Sequence, residues 1–414
     1  MALSSALMCA LGASAAGAQA PVDPAASESW PARKPRPATC DGKPLPASPP
    51  GPFAVGPKSA GLPDYWPTEA WQSRPPTELG FDPAKLAAAV DFKVPQSRNQ
   101  AVLVIRHGYV AAEKYTNFSA TQTHESYSMA KSVSSGLVGI AIAEGKLASV
   151  DEKVCKFYPS HWNCSDASDA RSRITVQHAM DLTTNLQWSE DWRSTKFFTP
   201  NDAATAGNDM LGKVLGRKTV GEPGSGKRYS TGDPALLTEV LRVSTGLSPY
   251  DYAKQKVFDV LGMKSVRWNR DAAGRTTTYM GVQATAQDFA RYGYLFLRRG
   301  VWNDKQVIPA DWIEKTTQAT DPCNTWVQNL WHQNLPARLA KQKASCDGLW
   351  CTPDVYEDLP ADGFFAEGVQ GQFVFVVPSA DLVVVRYAQD QMGSEFWDDY
   401  ARGFMHAILG AIQK

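Results

Sequence analysis

Ser128-Met129-Ala130-Lys131, continued by Ser132-Val133-Ser134-Ser135-Gly136-Leu137-Val138-Gly139-Ile140-Ala141-Ile142, sets a serine and a lysine at the mouth of a long apolar run that closes at Gly145-Lys146. The run predicts a mostly buried helix. Residues three apart share one helix face, with roughly 5–6 Å between Cβ atoms, so Lys131 reaches the Ser128 hydroxyl from one turn away. A free serine is a weak nucleophile and needs a neighbouring base or charge. A lysine pressed into apolar packing can take that role, because burial disfavours its charged form. Two fixed positions in four are a thin signal, and a capping serine beside a solvated lysine also fits them. The rest of the chain decides.

The 414 residues suffice for one large core or two coupled sub-domains. Lys plus Arg balances Asp plus Glu at 42 each, which points away from an electrostatic partner such as nucleic acid or an anionic membrane. Residues 1–20 are small and apolar and end in Ala18-Gln19-Ala20, which fits a signal-peptidase site, although no Lys or Arg precedes the run. No other segment approaches the roughly 18 apolar residues of a membrane span. The expectation is an exported, soluble protein, periplasmic or secreted. Beyond Cys9 stand Cys40, Cys155, Cys164, Cys323, Cys346 and Cys351. An even set in an exported chain suggests disulfides, with about 15 connectivities open. Cys155 and Cys164 flank a short polar loop and are the candidate pair. No Cys-x-x-Cys or His-Glu-x-x-His occurs and the histidines are scattered, so no metal site is expected.

Residues 21–65 are dense in Pro, Ala, Ser and Gly and read as an extended leader, leaving 66–414 as one folded domain. That domain opens with helix-like Pro83 to Val90. A hairpin follows from Ala101 to Ile105 and Tyr109 to Tyr115, with a turn at His107-Gly108. Residues from about 150 to 275 look helical and loop-like. Thr285 with Asp288 announces another helix, since a Thr N-cap and an acid three residues on satisfy free backbone donors. Gln372 to Val377 and Leu382 to Tyr387 form a second hairpin. Almost every residue in it is apolar, which predicts helices on both faces of the sheet. A last helix spans Glu395 to Ile412. The layout is α+β: an antiparallel sheet built from both chain ends, flanked by helices, with an inserted, mostly helical region.

Two further elements give Ser128-x-x-Lys131 its context. Pro223-Gly224-Ser225-Gly226-Lys227-Arg228-Tyr229-Ser230-Thr231-Gly232-Asp233 is a Gly-rich turn that delivers Tyr229 ahead of a helix starting near Pro234. A tyrosine there can shuttle a proton if a nearby lysine lowers its pKa. Gly368-Val369-Gln370-Gly371-Gln372 enters the C-terminal strand, and its glycines allow a substrate to approach the backbone N–H groups.

With these three elements in order, residues 75 to 410 resemble the serine β-lactamase and penicillin-binding-protein-like hydrolases. The branch is that of class C β-lactamases, family VIII esterases and 6-aminohexanoate-dimer hydrolases. Ile174 to Trp188, Leu261-Gly262-Met263 with Trp268, and Ala284 to Gly293 are similar to the 6-aminohexanoate-dimer hydrolase and esterase side. The resemblance implies a β-lactamase/transpeptidase-like fold and a cofactor-free serine hydrolase. Ser128 would attack an amide or ester, Lys131 and Tyr229 would move its proton, and the backbone N–H groups of Ser128 and Gln372 would hold the oxyanion. Thr231, Gln370 and Gly371 would line the substrate site. The chain departs from the family pattern twice. Thr231 stands where Tyr-x-Asn has its Asn, and no Lys or His stands in Val369-Gln370-Gly371. A small linear amide or ester is therefore expected over a β-lactam or a D-amino-acid peptide.

Rival readings are specific. Gly221 to Lys227 matches seven positions of a phosphate-binding loop, but Arg228 replaces the Mg²⁺-ligating Ser or Thr and no strand precedes it. A non-catalytic sensor on the same scaffold is the alternative that Thr231 suggests. Trp188 and Trp192 either wall the cleft or pack in the core. His178 reads as a satisfied buried histidine, Asp233 and Glu367 as hydrogen-bonding supports, and His124-Glu125 as a solvated turn. Sequence leaves the oligomeric state open.

Overall fold

The computed structural model describes residues 65–92, 99–188, 209–226, 229–317, 331–333, 360, 362–389 and 395–413. The expected signal segment, nearly all of the leader, Trp192, Lys227, Arg228 and four cysteines (Cys40, Cys323, Cys346, Cys351) lie outside them.

The sheet forms as the alternation dictates. β1 (Gln100–Arg106) and β2 (Tyr109–Thr116) make the first hairpin, turning through His107 and Gly108 at positive φ. β8 (Trp331–Gln333), β9 (Phe364–Gly368), β10 (Gln372–Val377) and β11 (Leu382–Ala388) come from the other end of the chain. The strand order is β2-β1-β11-β10-β9-β8, all neighbours antiparallel. β1 meets β11 in unbroken register from Gln100↔Ala388 to Arg106↔Leu382, so both chain ends complete one sheet.

Each face is buried, and parity assigns the residues. Ala101, Leu103, Ile105, Val374, Val376, Val383 and Val385 pack with the helices Met129–Ala143 and Ala286–Leu297. Val102, Val104, Phe373, Phe375, Val377 and Val384 point the other way, onto the helices Pro83–Val90 and Glu395–Gly410. A one-residue slip would exchange the two sets, so register is firmly specified.

Between Ala143 and Val282 the described chain is short helices and turns, with β4 (Arg267–Trp268) its one strand. β4 joins β5 (Val282–Ala284) and β3 (His124–Glu125) in a small sheet of order β3-β5-β4. That overturns the solvated turn expected at His124-Glu125. His124 is only 9 % exposed, and its ring centroid lies 3.9 Å from that of Phe118 and 5.2 Å from that of Tyr387. The Thr285 cap forms, its hydroxyl accepting the Asp288 N–H at 3.1 Å. The Asp288 carboxylate instead takes Ser265 and Arg291, and the Thr285 N–H donates to the Ser265 hydroxyl.

Candidate active site

The Met129–Ala143 helix starts at Ser128, whose side chain makes no capping bond. The hydroxyl is thus left for other partners. It lies 2.6 Å from the Tyr229 hydroxyl, and Lys131 Nζ donates to it at 2.8 Å. Lys131 Nζ also donates to the Tyr229 hydroxyl, at 3.2 Å, which closes a triangle of three polar atoms. Lys131 is 2 % and Tyr229 5 % exposed. Water is kept from all but the serine side, so proton exchange inside the triangle meets little competition from solvent.

Tyr229 arrives on a loop fixed by Asp233. The buried carboxylate accepts the Ser230 hydroxyl at 2.8 Å and the Thr184 N–H at 3.2 Å, while the Asp233 N–H donates back to Ser230 Oγ at 3.0 Å. Gly232 lets the loop settle on Trp188, for a Cβ there would stand 2.8 Å from the indole ring. Trp188 is 1 % exposed and packs behind this loop, which favours its core reading. Thr231 is buried beside Tyr229 in the same loop. His178 sits in a capping box with Thr175, as a structural histidine would. Glu222 to Ser225 form a turn held by Asn185, which donates to the Glu222 carbonyl and to Ser225 Oγ, and the next helical turn starts only at Asp233. Among the described residues a phosphate-binding loop, which runs straight into a helix, is not built there.

The third element comes in along β9. A Cβ at Gly368 would lie 2.2 Å from the Ser126 carbonyl, so strand and nucleophile segment touch backbone to backbone. Gln370 (φ 68°) and Gly371 (φ 86°) turn the chain into β10. Gln372, expected to offer its backbone N–H to the oxyanion, follows that turn. It opens the interior strand β10 opposite Gly368, and its side-chain amide donates to the Ala388 carbonyl and accepts the Ala388 N–H. Its side chain belongs to the sheet. β9, not β10, is the strand that reaches the nucleophile segment. The Ser128 N–H, by contrast, has no hydrogen-bond acceptor among the described residues.

Three supports were not read from the sequence. Glu125 accepts the Tyr127 N–H at 3.0 Å, the Gly281 N–H at 2.8 Å and Asn269 Nδ2 at 3.3 Å, and burial pushes its carboxyl above the usual range. Tyr127 stands at φ 48° immediately before Ser128 and donates its phenol to Gln370 Oε1 at 3.0 Å. A non-glycine residue in that region costs roughly 1–2 kcal/mol and survives only where its neighbours hold it. Arg386, fully buried, donates to the Gly371 carbonyl at 2.9 Å and to Gln100 Oε1 at 3.2 Å. Only Arg386 left a visible signal, as a charge in a strand otherwise apolar on both faces.

Cys155 and Cys164 stand with Cα atoms 5.4 Å apart and their sulfurs at bonding distance. Among the described residues no helix is long and apolar enough to cross a membrane, and no group of three or more His, Cys, Asp or Glu could hold a metal.

An antiparallel sheet buried by helices on both faces, with a serine, lysine and tyrosine meeting at a helix start, defines a hydrolase of β-lactamase/transpeptidase-like fold. The Beta-lactamase family model matches residues 94–403, and the chain belongs to that family. It is 24% identical over 373 residues to the 6-aminohexanoate-dimer hydrolase of Paenarthrobacter ureafaciens, covering 85% of this chain and 88% of the relative. Among solved structures it resembles a Bacillus anthracis protein provisionally described as a 6-aminohexanoate-dimer hydrolase (TM-score 0.63, 18% identity, 78% of this chain and 81% of that one). It also resembles EstCE1, described as a hydrolase with promiscuous acyltransferase activity (TM-score 0.60, 15% identity, 81% and 99%).

Proposed function

We propose that the protein is an exported serine hydrolase that cleaves a small linear amide or ester, without a carboxylate beside the scissile bond, through an acyl-enzyme on Ser128. One observation carries this reading: the Ser128 hydroxyl is bonded to both Lys131 Nζ and the Tyr229 hydroxyl. In acylation the Ser128 oxygen forms a bond to the substrate carbonyl carbon and its proton passes to the Lys131–Tyr229 unit. Collapse of the tetrahedral adduct breaks the bond to the amine or alcohol, which leaves with that proton. Water then repeats the sequence and releases the acid. The Ser128 N–H and a backbone N–H of β9 are the oxyanion donors, since preorganised donors there supply much of the barrier lowering.

The substrate class follows from charge. A cation facing a substrate carboxylate is worth on the order of 1.5–3 kcal/mol, roughly 10- to 100-fold in rate. Gln370 offers a neutral amide and Val369 nothing. Arg386, beneath the turn, is buried and engaged by Gly371 and Gln100, so it does not replace that cation. The kinship with 6-aminohexanoate-dimer hydrolases and esterases supports the same class. Export belongs to the reading too, with Cys155 and Cys164 joined as a disulfide; a free thiol at either in envelope-derived protein would overturn that part.

A panel of linear amides, short p-nitrophenyl esters, nitrocefin and D-amino-acid peptides tests the activity, with labelling by a serine-reactive phosphonate. Turnover of amides or esters and labelling at Ser128, both lost in Ser128→Ala, are the expected outcome. Labelling on another serine sinks the nucleophile, specificity for nitrocefin above simple esters sinks the substrate class, and neither turnover nor labelling leaves a sensor domain.

A further inference from the structure

The nucleophile segment and the β9–β10 turn meet at two successive points. Ser126 touches Gly368 through backbone, and Tyr127 reaches Gln370 through side chains. Tyr127 and Gln370 are also the two residues held at positive φ nearest to Ser128 and to Gly371, at 48° and 68°. Strain of this kind persists where surrounding bonds over-determine it. Here such bonds are in place. Glu125 accepts the Tyr127 N–H on one side, and the Tyr127 phenol grips Gln370 Oε1 on the other. On the same turn Arg386 holds the Gly371 carbonyl from beneath.

We propose that the Tyr127–Gln370 bridge is a positioning device: it clamps the corner that presents Ser128 and its N–H against the strand end that supplies the facing N–H, and so fixes the spacing of the oxyanion site. The inference rests on the acyl-enzyme reading and deepens it. Neither side chain is given a role in proton transfer. Their effect is on geometry, where an ångström of misplacement costs on the order of 100-fold. A phenol-to-amide bond suits the task because it joins two segments 243 residues apart without placing a charge beside the reacting carbonyl.

Tyr127→Phe removes one oxygen and Gln370→Ala its acceptor. Each should lower kcat for a p-nitrophenyl ester, and the rate of phosphonate labelling at Ser128, by roughly 10-fold with KM little changed. The double variant should lose no more than the worse single one, because both delete the same bond. Losses that multiply towards 100-fold in the double variant would overturn the bridge. So would a lowered melting temperature with kcat and labelling rate untouched. Wild-type protein that is never labelled at Ser128 removes the acyl-enzyme reading and this role with it; labelling that Tyr127→Phe leaves at full rate removes this role alone.

Discussion

Lys131 and Tyr229 reach one hydroxyl by opposite routes. Lys131 is three residues from Ser128 on the same helix, so the helical repeat alone brings Nζ to 2.8 Å. Tyr229 is 101 residues away and arrives on a loop. Nothing in a backbone repeat sets that loop; Asp233, Ser230, Thr184 and the Gly232–Trp188 contact do. Placement by periodicity tolerates the loss of neighbouring contacts, whereas placement by side-chain bonds depends on each bond. The contrast can be broken or sharpened by mutation.

The largest effect should erase the contrast at the chemical step. Lys131→Ala and Tyr229→Phe should each lower kcat by about 1,000-fold or more, and the double variant should fall little further, since groups acting as one unit are non-additive. Single-turnover acylation rates check this, and losses that multiply would separate the two groups into independent roles.

A smaller effect should separate the halves. Asp233→Ala frees the Tyr229 loop and should cost roughly 10- to 100-fold in kcat. Ser134→Ala, on the helix, deletes bonds to the Ala130 and Thr278 carbonyls. It should cost about 1–2 kcal/mol of stability and leave kcat within about twofold. Equal kinetic losses in the two variants would end the comparison.

The smallest effect concerns His124, which flanks the nucleophile corner but takes no part in either route. Burial lowers its pKa from 6.5 to about 4. Below pH 6.5 the unfolded chain therefore takes a proton that the folded chain refuses. The folded state should lose stability progressively as pH falls from 6.5 to about 4, and level off below that. Urea midpoints across this range should be flatter in His124→Phe than in the wild type. Parallel pH profiles would remove His124 from the account.

The same contrast explains what the residues revealed in advance. The two apolar hairpins, the capped helix at Thr285 and the Ser128 helix are written in period-2 and period-3.6 patterns, and each formed where the pattern put it. Ser128, Lys131 and Tyr229 could be picked out because chemistry restricts which residues do that work. The supports could not. Glu125 and Tyr127 look like any polar residues before a helix, and their roles depend on Gly281, Asn269 and Gln370, which no local pattern joins to them. The third motif's position along the chain was legible, but which strand faces the helix is settled by pairing order.

The β1–β11 seam has a consequence for synthesis. β1 starts at Gln100 and its partner ends at Ala388, so the ribosome must deliver nearly the whole chain before the inner edge of β1 has anything to bond. At about 5–20 residues per second, that edge waits on the order of tens of seconds. An apolar strand with free N–H and C=O groups is a template for pairing with another molecule. The β1–β2 hairpin is thus the nascent chain's exposed liability, and a holding chaperone or a channel that keeps the polypeptide extended has that one edge to shield until Leu382–Ala388 emerges.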